Sequence, residues 1–177
     1  MKLRVAVLAM VIVLSACAHR RATTAAPSGD TASDDEFLQF AAMQAHNVID
    51  VSDAVSRTAG DPRVRELARI LRADRQADLD RITRAARRRS VQLPTEPDTR
   101  HAEALGRFGQ NSGGESDREY LNLMASDHEF MLSTFESRAG TANARPVRNA
   151  AADALPSLRR DLERTRSMAA STAATNP

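Results

Sequence analysis

The chain has 177 residues, enough for one domain with its ends and too few for two ordinary ones. Apolar residues make up 42% and charged residues 27%, with Gly and Pro at 7 each, which excludes a collagen-like, low-complexity or wholly disordered chain. The 25 Lys+Arg and 23 Asp+Glu nearly balance, and without Lys2 and Arg4, which fall in a segment read below as cleaved, the chain is formally neutral; that argues against a nucleic-acid partner.

The first element is an export signal. Lys2 and Arg4 precede an uncharged apolar stretch, Val5 to Leu14. Ten residues at helical rise reach about 15 Å, half of a bilayer core, which suits a signal-peptide apolar region and not a membrane span. Leu14-Ser15-Ala16-Cys17 then resembles a bacterial lipobox, which implies cleavage before Cys17 and acylation of that residue. Cys17 is the only cysteine, so the chain has no intramolecular disulfide, and two or more acyl chains there give stable anchoring. Ala18 follows, not the Asp that resembles an inner-membrane retention signal, so the expected address is the outer membrane, facing the periplasm. Residues 1–16 therefore read as signal peptide and 17–32 as the lipidated cysteine with a flexible tether.

The domain proper is expected over 33–170. Ser33 and Glu36 form a capping box ahead of Phe37, Ala41, Gln44, Val48, Val51 and Val55, one face of a helix that Gly60 ends. Asp61-Pro62 starts a second helix, with Val64, Ala68, Leu71, Arg75, Leu79 and Ile82 in the same periodicity to about Arg89. A short helix follows a Pro-containing loop, from His101 to Phe108, capped by Asp98 or Thr99. Ser116 and Glu119 form a second capping box, opening Leu121, Met124, His128, Met131 and Phe135 to about Gly140. Pro146 begins the last helix, with Val147, Ala151, Ala154, Leu158, Asp161, Thr165 and Met168, and Pro156 inside it should kink it. Residues 171–177 are small and polar and read as a disordered tail. This is an all-α chain: an antiparallel four-helix bundle with a short extra helix between helices 2 and 3.

The midpoints of the four stripes fall on Val48, Arg75, His128 and Asp161. In an antiparallel bundle midpoints meet at one level, and buried charges are rare unless paired. Arg75, Asp161 and His128 should therefore neutralise one another, with Asp74 and Asp127 as flanking candidates.

Asp74-Arg75, then Asp117-x-x-Tyr120-Leu121 with Met124 and Asp127-His128, then Leu155-Pro156-x-Leu158-x-x-Asp161-Leu162, together resemble the domain of unknown function 4142 family. The likeness covers about residues 35 to 170. It implies an exported, ferritin-like helical bundle, described as an outer-membrane protein of mostly unassigned activity. It also implies an Asp-His pair on the second helix, another on the third, a His after Leu-Pro on the fourth, and often a Glu on the first. His128 matches. Arg75 and Asp161 stand where two of the histidines would be, and Val48 where the Glu would be.

A ferritin-like di-iron centre takes Glu-x-x-His from two helices. Glu36, Glu66, Glu129 and Glu163 are followed three residues later by Gln39, Arg69, Leu132 and Arg166, so none opens that motif. Arg75 has no lone pair for a metal and repels one. Neither a metal nor another cofactor is expected, and with no Gly-x-Ser-x-Gly elbow or phosphate-cradling loop, no catalytic residue either. His46 and Asp50 lie off the apolar stripe and read as a solvated pair. Arg81, Arg84 and Arg88 share a face, and Arg87-Arg88-Arg89 closes the second helix, which reads first as favourable placement for the helix dipole and second as contact with anionic lipid head groups or another envelope polyanion. The sequence thus points to a lipid-anchored envelope bundle with a structural or partner-binding role, its partners being the membrane through Cys17 and an envelope protein. The alternative is a ferritin-like metal-binding or oxidative-stress protein.

Overall fold

The computed structural model describes residues 33–175, so the signal peptide, Cys17 and the tether lie outside the described residues. Five helices follow in order: α1 Asp34–Thr58, α2 Pro62–Arg87, α3 Thr99–Gln110, α4 Gly114–Thr141 and α5 Arg145–Thr175. The capping box at Ser33 forms, with the Ser33 hydroxyl accepting from Glu36 N–H at 3.1 Å and the Glu36 carboxylate accepting from Ser33 N–H at 2.8 Å. Asp61 caps α2 ahead of Pro62, and Asp98 caps α3.

Helices α1 and α2 form one hairpin and α4 and α5 the other; α2 packs on α5 and α1 on α4. Each hairpin fastens the turn of its neighbour. The Asp117 carboxylate of α4 accepts from Gly60 N–H and Asp61 N–H at 3.0 and 2.8 Å, holding the α1–α2 turn. The Asp34 carboxylate of α1 accepts from Asn143 N–H and Ala144 N–H at 3.2 and 2.6 Å, holding the α4–α5 turn, and takes Arg138 at 3.0 Å. These contacts place the start of α4 where α1 ends, and the start of α5 where α1 begins. Every packed pair among α1, α2, α4 and α5 is therefore antiparallel. The segment joining α2 to α4 must return along the length of the bundle, the single long crossover of ferritin-like connectivity.

That crossover explains α1. Its read stripe is buried, but so are Leu38, Phe40, Ala42, Met43, Ala45 and Ile49 on other faces. α3 lies along the outside of α1, with Asn47 bonded to Asp98 and Thr58 to the Phe108 carbonyl at 2.8 Å. A helix covered on both sides is apolar nearly all round. The core is continuous from Phe37 to Leu158, so the described segment carries its own core.

Two local expectations change. The capping box at Ser116 does not form, because α4 begins earlier, at Gly114, after Gly113 in the left-handed region at φ 104°. Asp117, inside that expected box, instead reaches the α1–α2 turn. α5 runs to Thr175, past Ser171, with Thr172 buried and its hydroxyl donating to the Met168 carbonyl at 2.9 Å. Pro156 sits within α5 on the solvent face, so the acceptor it leaves unserved, the Ala152 carbonyl, is on an exposed residue.

The start of α4 approaches the α1–α2 turn so closely that a Cβ on Gly60 would lie 2.9 Å from Gly113 Cα, backbone that cannot swing aside. Gly60→Ala should cost about 1–3 kcal/mol, as overpacking does. Urea denaturation checks this, and a midpoint equal to that of the unaltered chain would show that the turn and α4 are not in contact.

Candidate polar layer at mid-bundle

Arg75 lies on the inward face of α2 because Val64, Ala68 and Leu71 precede it at helical spacing, and it is only 1% exposed. Its guanidinium reaches two carboxylates: Asp78 at 2.7 Å, one turn on, and Asp161 of α5 at 3.0 Å. The same nitrogen that meets Asp161 donates to the Ser157 hydroxyl at 3.0 Å. Arg81 also meets Asp78, at 2.5 Å, and Arg164 meets the other oxygen of Asp161 at 3.3 Å. Two buried carboxylates thus share one buried cation, with two half-exposed arginines behind them.

Burial pushes Asp161 up to about 6; Arg75 opposes this and the nearby Asp74 carboxylate reinforces it. Burial likewise raises Asp78 against the pull of Arg75 and Arg81. His128 comes from α4 with no exposed surface, its Nδ1 donating to the Met124 carbonyl at 2.7 Å. Its Nε2 stands 4.0 Å from the Asp161 oxygen that Arg75 holds, too far for a hydrogen bond. Burial first, then the Arg75 charge, push His128 down to about 3. It is a neutral imidazole and takes no part in balancing charge.

The expected trio of Arg75, His128 and Asp161 is therefore brought together, but the charge balance belongs to Arg75, Asp161 and Asp78. Val48 is buried. Asp74 stands at the edge, 3.8 Å from Arg164 and close enough to act on Asp161. Asp127 is elsewhere. Its carboxylate accepts from His101 Nε2 at 2.7 Å, while His101 Nδ1 meets Asp98 at 2.9 Å. Asn47 of α1 completes that cluster, donating to the Asp98 carboxylate and accepting from Asp98 N–H, both at 2.9 Å. Asp127 precedes His128 by one position, and 100° of helix turn carries it from the bundle axis to the crossover helix.

Sequence reasoning missed Asp78, Ser157 and the His101 cluster. Asp78 was legible as Arg75-x-x-Asp78, the i,i+3 spacing of an ion pair. The tyrosine of the motif, Tyr120, lies wholly buried beside this layer with its hydroxyl 2.9 Å from that of Ser52, and burial raises it.

The donor set does not fit a resident di-metal centre. A guanidinium with permanent charge and no lone pair occupies the layer and holds the carboxylate oxygen nearest His128. Among the described residues no three His, Cys, Asp or Glu side chains are grouped so that they could hold a metal ion. No helix among them is long and apolar enough to cross a membrane.

Compared with known proteins, the chain matches no curated protein and no solved structure. A family model does match, over residues 19–168, nearly the whole segment that carries the bundle and its polar layer: the chain belongs to the family described as domain of unknown function (DUF4142).

Proposed function

We propose that this protein is a lipid-anchored helical bundle of the cell envelope, held at the outer membrane through Cys17 and facing the periplasm, with a structural or partner-binding role and no catalysis. One observation carries the non-catalytic part: Arg75, paired with Asp78 and Asp161, fills the level at which a ferritin-like bundle would bring its ligands. An ion pair buried at the bundle axis suits a register-fixing role, with the Asp78 and Asp161 oxygens already engaged by arginines. The lipobox at Leu14-Ser15-Ala16-Cys17 supports the anchor, and an envelope protein is the partner the reading implies.

The rival reading, a ferritin-like metal-binding or oxidative-stress protein, draws on His128, which is neutral with Nε2 unpartnered and turned toward Asp161. Metal analysis separates the two. The purified chain should hold less than about one equivalent of iron, manganese or zinc, and chelation should leave its melting temperature unchanged, because a metal bound only to the folded state must stabilise it. Stoichiometric metal with a chelator-sensitive melt would establish the rival. The anchor is tested in cells: Cys17→Ser should abolish the acyl mass and release the protein from the membrane fraction, and a variant that stays there acylated overturns it.

A further inference from the structure

One end of the bundle gathers basic residues that pair with no carboxylate among the described residues. Arg84, Arg87 and Arg88 from the last turns of α2 are exposed and have no carboxylate within 4.0 Å among the described residues, and the same holds for Arg145 at the start of α5. Helix stability accounts for the first group, since cations favour a C-terminus. It does not account for Arg145. That residue opens α5, where a cation opposes the helix dipole, and no acidic residue lies in that first turn. Between the end of α2 and the start of α5 lies a cleft of about 200 Å³ lined by Arg81, Arg84, Arg88, Asn149 and a single carboxylate, Asp153. Apart from Asp153, the acidic residues nearest this end are engaged: Asp34 with Arg138, Asp35 with Arg89 at 2.7 Å, and Glu36 in the capping box.

This is also the end at which the chain enters the bundle. Ser33 caps α1 here, and Asp35 ties that start to the end of α2. Only sixteen peptide steps separate Ser33 from Cys17, about 55 Å at full extension. Arg20 and Arg21 add two further cations in that interval.

We propose that this basic end docks on an anionic lipid surface, with Arg84, Arg87, Arg88 and Arg145 against headgroup phosphates and the bundle standing away from the membrane. This rests on the membrane address read for Cys17, whose tether joins the bundle at this end. Phosphate surfaces match the chemistry: guanidinium forks pair bidentately with phosphate oxygens, and each basic residue near an anionic surface strengthens binding about fivefold.

Vesicle co-sedimentation tests it on the chain from Ala18 onward, which has no acyl group, so the outcome is independent of whether Cys17 is lipidated in cells. The chain should bind vesicles of phosphatidylcholine with about 30 mol% phosphatidylglycerol, should not bind phosphatidylcholine alone, and should release at about 0.5 M salt. Arg84→Gln, Arg88→Gln and Arg145→Gln combined should weaken binding by at least about tenfold. The combination Arg57→Gln, Arg107→Gln and Arg118→Gln at the opposite end should leave it unchanged. Equal binding to neutral vesicles, no loss in the first combination, or the same loss in both would overturn the proposal. So would competition by millimolar inorganic phosphate at constant ionic strength, which would mark a site for the free ion.

Discussion

Arg75→Leu is expected to destabilise the folded chain by about 3–5 kcal/mol, the usual cost of stranding a buried charge. Two carboxylates lose their common partner, and Asp161, with no exposed surface, has only the half-exposed Arg164 left. Asp161→Leu should cost less, because Arg75 keeps Asp78 at 2.7 Å. Combining the two should recover much of the loss, since Asp78 retains Arg81 and buried pairs often yield to apolar residues without penalty. A double-mutant cycle by chemical denaturation should therefore give coupling well above the ~1 kcal/mol ceiling of exposed pairs. The sign of the pH effect follows from the carboxylates. Asp161 stands near 6 in the folded chain against 3.8 unfolded, and Asp78 is raised too, so removing the cation raises both further. The penalty of Arg75→Leu is then largest above pH 6 and shrinks as pH falls and the stranded acids take up protons. Additive effects, each under about 0.5 kcal/mol, would place these residues in solvent.

The second large effect belongs to the clasp between the crossover and the bundle. His101 is 2% exposed and has a carboxylate at each ring nitrogen, Asp98 at 2.9 Å and Asp127 at 2.7 Å. Both nitrogens can donate only in the imidazolium form. Burial alone would lower His101, but the hydrogen bonds and charges of Asp127 and Asp98 together prevail and raise it above 6.5. A raised histidine contributes stability that is complete below its unfolded value and lost as pH rises through its folded one. Melting temperature should accordingly fall between pH 6.5 and the alkaline side of the raised value. His101→Phe should remove that slope and cost about 2–4 kcal/mol at pH 6, because Asp127 is left buried with Arg100 only at 3.9 Å. A wild-type melt that is flat over this range would mean that the clasp holds without the charge.

Periodicity made the four long helices and most of their inward faces legible, since one buried stripe is a local property of the chain. Counting to midpoints even brought Arg75, His128 and Asp161 to one level. What the count could not resolve was which side of a stripe a borderline position takes. Asp78 and Leu79 are neighbours, and the apolar one was the natural choice for the core. The structure buries Asp78 and leaves Leu79 half-buried, because Arg75 one turn earlier demands a second carboxylate. The second face of α1 was illegible for another reason. Its cover is α3, some fifty residues away, and no local pattern announces a helix laid across from a crossover. His101 read only as the start of a short helix, since both of its partners depend on where that crossover lands.

The two turn-holding aspartates bind the fate of each half of the molecule to the other. Neither Gly60 and Asp61 nor Asn143 and Ala144 find their acceptor within their own hairpin; Asp117 and Asp34 supply it from the opposite one. Pull the hairpins apart and four backbone donors and two carboxylates lose their partners at once, at both ends of the bundle. The halves are therefore not expected to persist apart, and the domain should melt in a single all-or-none step, with calorimetric and van't Hoff enthalpies that agree.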